Sequence, residues 1–167
     1  KVYLVDMLLW AYDKIIMHNI CEDNHSRDFG YIINEAVKDI LEAKYPDKVE
    51  VINFEQFINH YSYRGETFAL SHGKDSKHLK FGFKIQLDDR ATTKIDQYLK
   101  QYKLFNGNRI QFCKGDSHQY LLDMCTSDDF DYFNIMAFSP SSEWIQTNFK
   151  KGRSGFHLEH YDTITRG

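Results

Sequence analysis

Arg109-Ile110-Gln111-Phe112-Cys113-Lys114-Gly115-Asp116-Ser117-His118 is the stretch on which the fold turns. Arg109 to Cys113 carries the β-branched and aromatic residues of a strand. Gly115 then lets the backbone turn sharply. Asp116 and His118, two positions apart, can both reach into one site from the loop that follows. The same arrangement occurs twice upstream. Thr67 to Ser71 reads as a strand that delivers His72-Gly73-Lys74-Asp75. A short strand near Met17 to Cys21 leads into Asp23-Asn24-His25-Ser26-Arg27. Strand ends that run into polar loops are where α/β proteins place ligands and catalytic groups.

Between these stretches the pattern alternates. Val5, Leu8, Leu9, Tyr12 and Ile16 recur at helical spacing and predict a first amphipathic helix. Asp28 is a suitable N-cap for a second helix with Ile33, Ala36, Val37, Ile40 and Leu41 on its buried face; Pro46 and Asp47 end it. Val49 to Phe54 reads as a strand. Phe57 to Tyr63 and Thr67 to Ser71 form a hairpin turning at Arg64-Gly65-Glu66. Thr93 to Tyr102 predicts a third helix with Ile95, Tyr98, Leu99 and Tyr102 inward. The stretches around Leu121, Phe130 to Phe138 and Phe156 to Tyr161 look extended. The fold class expected is α/β, grading to α+β because the later part is mainly β.

Composition bounds the rest. A chain of 167 residues that is 42% hydrophobic is the size of one domain, taken here as 1–167, and can fill a core. The net charge of -3 gives no global attraction to nucleic acid or to a membrane surface. No run approaches the roughly 20 apolar residues that span a bilayer, so no membrane partner is expected. There is no secretory signal pattern, and Lys1 in place of Met is the start expected of a processed or truncated product, or of a chain whose N-terminus was not observed. Cys21, Cys113 and Cys125 are odd in number and form no CxxC pair, which suits thiols in a reducing, cytoplasmic compartment.

The three polar loops carry the chemistry. Asn24 offers a neutral carbonyl oxygen, His25 a general acid and Arg27 a partner for phosphate. His72 and His118 offer imidazole nitrogen, and Asp116 a carboxylate. Read singly, each loop is also an ordinary polar turn; their joint order carries the weight. His157 and His160 would face opposite sides of a strand and so do not make a metal pair. Lys74, Lys77, Lys80, Lys84, Lys150, Lys151 and Arg153 read as solvated charge, with contact to a phosphate backbone as the alternative.

That order resembles the second half of a calcineurin-like metallophosphoesterase. The family carries D-x-H, G-D-x-x-D, G-N-H-[DE], a lone His often followed by Gly, and G-H-x-H. Asp23-Asn24-His25-Ser26 looks like the third block, His72-Gly73 like the fourth and Gly115-Asp116-Ser117-His118 like the fifth. The stretch from Phe138 to Phe149 is similar to late segments of phage-encoded members. The resemblance implies a partial β-sandwich flanked by helices and a two-metal phosphoester hydrolase. It implies that Asn24, His72 and Asp116 bind one metal and His118 the other, with His25 as the acid and Arg27 on the substrate phosphate. Mn²⁺ is the expected metal, with Mg²⁺, Zn²⁺ and Fe as alternatives.

Three positions depart from the family pattern: Asp23 replaces Gly, Ser26 replaces the acidic residue and Asp116 replaces His. Oxygen from Asp116 favours a harder metal than zinc. No D-x-H or G-D-x-x-D precedes Asp23, so the chain reads as the C-terminal part of a catalytic domain, with little or no activity alone. The expected partners are a phosphate-ester substrate, nucleic acid among them, and a missing N-terminal segment or a second copy. The alternative function is a non-catalytic protein of this fold that binds a partner.

Overall fold

The computed structural model describes residues 1–23, 28–74, 82–138, 147 and 154–161. The chain divides into two compact units, residues 1–59 with 74–81 and residues 60–73 with 82–167.

The first unit is a β-α-β crossover with a short helix in front. Helix α1 spans Val2–Leu8, strand β1 Ile15–Ile20, helix α2 Asp28–Lys44 and strand β2 Val49–Phe54. The strands pair in parallel, with Ile15 opposite Val49 and Ile20 opposite Phe54. The expected first helix is shorter than its apolar spacing suggests. Ile15 and Ile16 are β-branched and pair better beside Val49 and Glu50 than they would extend a helix. Asp28 is the first helical residue rather than the cap, and its carboxylate favours the positive end of the helix dipole.

Val5, Leu41, Val49 and Val51 are buried together, with Val2, Leu9, Ile15, Met17, Val37 and Tyr45 packed around them. Asp6 ties α1 to the end of α2 by accepting from Tyr45 Oη at 2.7 Å and pairing with Lys44 at 2.9 Å. The Val51 amide donates to Glu42 Oε1 at 3.0 Å, so α2 satisfies a backbone donor of β2. Only part of the expected α2 face is inward. Val37 and Leu41 pack on the core, whereas Ile33 and Ile40 are 47% and 54% exposed. Phe29, Ile33, Ala36, Ile40 and Ala43 form a second apolar stripe on the outward side.

The second unit is a five-stranded mixed sheet in the order β3-β4-β5-β7-β6. Its strands are β3 Asn59–Tyr63, β4 Glu66–Ser71, β5 Arg109–Lys114, β6 Leu121–Asp123 and β7 Asp131–Asn134. β3 and β4 are joined by Arg64-Gly65, both at positive φ (50° and 81°), as a tight two-residue hairpin turn requires. Helix α3, Asp89–Gln101, joins β4 to β5. It starts four residues earlier than Thr93, because the Asp88 side chain accepts from the Ala91 amide and caps it. Its Ala91, Ile95 and Leu99 are buried at a spacing of four. β5 runs parallel to β4 and to β7, while β6 is antiparallel to β7.

Register sorts the side chains onto two faces. Ala69, Ile110, Phe112 and Tyr132 lie on one. Phe112 stacks on Tyr132 with ring centroids 5.8 Å apart and meets Phe83 at 4.9 Å and Phe130 at 6.4 Å. Phe68, Gln111, Cys113 and Phe133 lie on the other face. Residues 154–161 cover it, with exposure alternating along the segment. Tyr161 packs edge-on to Tyr63 and Phe68, and His157 edge-on to Phe133. Glu159 and Tyr161 accept from the Gln111 amide at 3.2 Å each, and Glu66 accepts from it at 3.1 Å. The opposite orientations expected of His157 and His160 are found: the first is half-buried and the second exposed. Among the described residues no helix is long and apolar enough to cross a membrane.

Phe112 is fully buried in an aromatic cluster, so Phe112→Ala leaves a cavity that its stacked neighbours fill poorly. Chemical denaturation of that variant should show a loss of about 3–5 kcal/mol.

Candidate functional site

The C-terminal ends of β4 and β5 lie side by side, with Ser71 opposite Lys114. Parallel pairing therefore places the loop after His72 against the loop after Gly115. The contact is close. Gly115 N donates to His72 O at 3.1 Å. A Cβ on Gly73, whose φ is +114°, would sit 3.1 Å from Gly115 O and 3.2 Å from Asp116 Cβ. Glycine at both positions is what lets the two loops meet.

His72 Nε2 and Asp116 Oδ1 are 3.6 Å apart across this junction, and both side chains are partly buried. Two ligands held at about 2.1 Å on adjacent corners of a metal's coordination shell lie about 3 Å apart. The pair thus fits two positions of a divalent-metal shell after a small side-chain adjustment. Its mixed nitrogen and oxygen character suits Mn²⁺, Mg²⁺ or Zn²⁺. Asp116 and His118 both adopt positive φ, 66° and 54°, which is uncommon for residues with a Cβ. Backbone held in this sparsely populated region is a recurring feature of functional loops. His118 Nδ1 is buried with no hydrogen-bond partner among the described residues. Among those residues no three His, Cys, Asp or Glu side chains converge closely enough for one ion. Asn24, His25 and Arg27 lie outside the described residues. Of the expected site, the structure therefore brings together His72 and Asp116, and it turns His118 inward.

Lys114 is the residue that sequence reasoning passed over. It is 1% exposed, and its ammonium donates to Phe83 O at 3.0 Å and to Ser117 Oγ at 2.5 Å. Phe83 N in turn donates to Gly73 O at 2.7 Å. One buried lysine thus braces the loop after β5 against the segment that follows the loop after β4. Burial pushes its pKa down to about 8, against a smaller upward pull from the Asp116 carboxylate. A lysine closing a strand reads as solvent-facing in sequence; only the alternation with Phe112 and Ile110 places it on the inward face.

No protein-family profile, curated protein or solved structure matches this chain.

Gly73→Ala should lower stability by about 2 kcal/mol, from the positive φ and the crowding against Gly115. Lys114 gives a second expectation. Its pKa is depressed in the fold, so between about 8 and 10.5 the unfolded chain holds more protons and stability rises with pH. In metal-free buffer, unfolding free energy between pH 8 and 9.5 should climb more steeply in the wild type than in Lys114→Met. The expected difference is about 1 kcal/mol per pH unit. Comparing the two proteins cancels the opposing contribution of Cys113, whose thiol burial pushes up to about 12.

Proposed function

We propose that the chain carries one side of a metal-dependent phosphoester-hydrolysing site of the calcineurin-like type. The observation that supports this is the 3.6 Å approach of His72 Nε2 to Asp116 Oδ1 at the ends of adjacent parallel strands. His72 and Asp116 hold the ion between their loops, and His118 lies further along the same loop. A bound divalent metal supplies an activated water and a clamp on the phosphoryl oxygens. The resemblance gives Asn24 as a third ligand of the first ion, His25 as the group that protonates the leaving oxygen and Arg27 as the phosphate partner. A phosphodiester of nucleic acid is the favoured substrate class. The β-sandwich of that family is part of the same proposal.

A second reading is supported by the outward stripe of α2, where Phe29 is 66% exposed and Ile40 54% exposed. A chain that binds a partner through this face, without turnover, would keep the sheet and lose the metal.

Titration calorimetry with Mn²⁺ separates the two. Wild-type protein should bind Mn²⁺, and the His72→Ala, His118→Ala double variant should lose binding at least tenfold. Equal heats in both, or none in the wild type, would remove the metal from the proposal and leave the partner-binding reading.

A further inference from the structure

Helix α2 turns two of its carboxylates to the sheet and leaves its outward side apolar. Glu35 Oε1 accepts from Asn53 Nδ2 at 2.6 Å, and Glu42 Oε1 accepts from the Val51 amide at 3.0 Å. Val37 and Leu41 pack on the core. Phe29, Ile33, Ala36, Ile40 and Ala43 remain outward, and every one is exposed. Their spacing runs four, three, four, three along the chain. That is the repeat of a coiled-coil seam, with Ile33 and Ile40 at a and Phe29, Ala36 and Ala43 at d. A helix that only covers its own sheet carries polar residues on this side.

The residues beside the seam say what covers it. In a parallel pair, the g residue of one helix faces the e residue five positions further along the other. Asp39 stands at g and Lys44 at e, five positions later, and both are exposed. Two copies of α2 packed about a twofold axis therefore set Asp39 of each against Lys44 of the other. Lys44 already donates to both carboxylate oxygens of Asp6, which leaves its third proton for the second copy. Antiparallel packing sets g against g and e against e, so Asp39 would meet no lysine. Isoleucine at a, with none at d, favours two strands over three or four.

Helix α1 widens the surface. Through Val5 it packs with α2 on one face of β1 and β2, so both helices turn their far sides away from the sheet. Tyr3, Met7 and Trp10 are exposed, Trp10 at 93%. A stable interface hides about 800 Å² on each partner, an area that these aromatic and aliphatic side chains help to reach.

We propose that the chain forms a parallel twofold dimer through α2, with Asp39 of each copy paired to Lys44 of the other. This rests on the partner-binding role given above to the α2 stripe, and it holds with or without turnover at the metal site.

Sedimentation velocity tests it. Wild-type protein should sediment as a dimer. Ile40→Glu, at an exposed position, should weaken dimerisation at least tenfold. Charge exchange tests the pairing. Asp39→Lys and Lys44→Asp should each weaken self-association, because each sets like charges together. Mixed with one another, the two variants should associate at least tenfold more tightly than either does alone. Circular dichroism establishes that each is folded. If Lys44→Asp, which also loses its bond to Asp6, is not, Ala36→Cys in a Cys125→Ser background replaces it. Position 36 of a parallel pair should then crosslink to itself under oxidation. Variants that mix without recovery, or a position 36 that does not crosslink, overturn the parallel pairing. A wild type that stays monomeric overturns the dimer. Emission of an apolar dye then separates the failures. Emission that falls in Ile40→Glu leaves the stripe open to a different protein, so only the self-pairing is wrong. Equal emission from both proteins removes the stripe from the partner-binding reading as well.

Discussion

The parallel register of β4 with β5 is the constraint on which the site depends. Setting Ser71 opposite Lys114 brings the following residues of both strands to the same edge of the sheet. Gly73 and Gly115 then permit the two backbones to touch, which side chains at those positions would prevent. From this single alignment come the proximity of His72 to Asp116 and the inward path of the His118 loop. A slip of the register by one residue would exchange the two faces of β5 and send Lys114 and Phe112 toward Gln111's side of the sheet.

Polar groups on the inward face are then held by hydrogen bonds rather than by apolar contact. Lys114 is held by the Phe83 carbonyl and the Ser117 hydroxyl, and the Asn134 amide nitrogen donates to the Gln119 carbonyl. Each bond links the sheet to a loop segment that has no regular structure of its own. The loops are therefore fixed from below, through side chains of the strands.

Much of this organisation was legible in the residue pattern. Alternation in Arg109 to Cys113 and Thr67 to Ser71 located the central strands, and the polar residues after each located the edge where His72 and Asp116 meet. Other features depended on partners that a local pattern does not contain. Leu41 and Ile40 are adjacent in α2 and equally apolar, yet only the first faces β2. The helix carries two apolar stripes, and periodicity alone does not say which one the sheet takes. Ile15 and Ile16 continue the helical spacing of α1, but pairing with β2 overrides it. Lys114 and Asn134 are polar residues at strand ends whose burial needs carbonyls from Phe83 and Gln119, 31 and 15 positions away along the chain. Asn24, His25 and Arg27, which the resemblance puts at the heart of the chemistry, lie outside the described residues.

The segment from 154 to 161 gives the second unit a particular order of assembly. It covers the Phe68, Gln111 and Phe133 face through Tyr161, Glu159 and His157, yet it is the last of the described elements to be synthesised. As the chain leaves the ribosome, β3 to β7 can pair before that cover exists. During this interval the sheet presents one bare aromatic face, and its apolar side chains compete for any other apolar surface within reach. The contacts of Tyr161, Glu159 and His157 form only once that extended segment docks. A chain ending before residue 154 would pair its strands without that cover and offer Phe68 and Phe133 to other apolar surfaces.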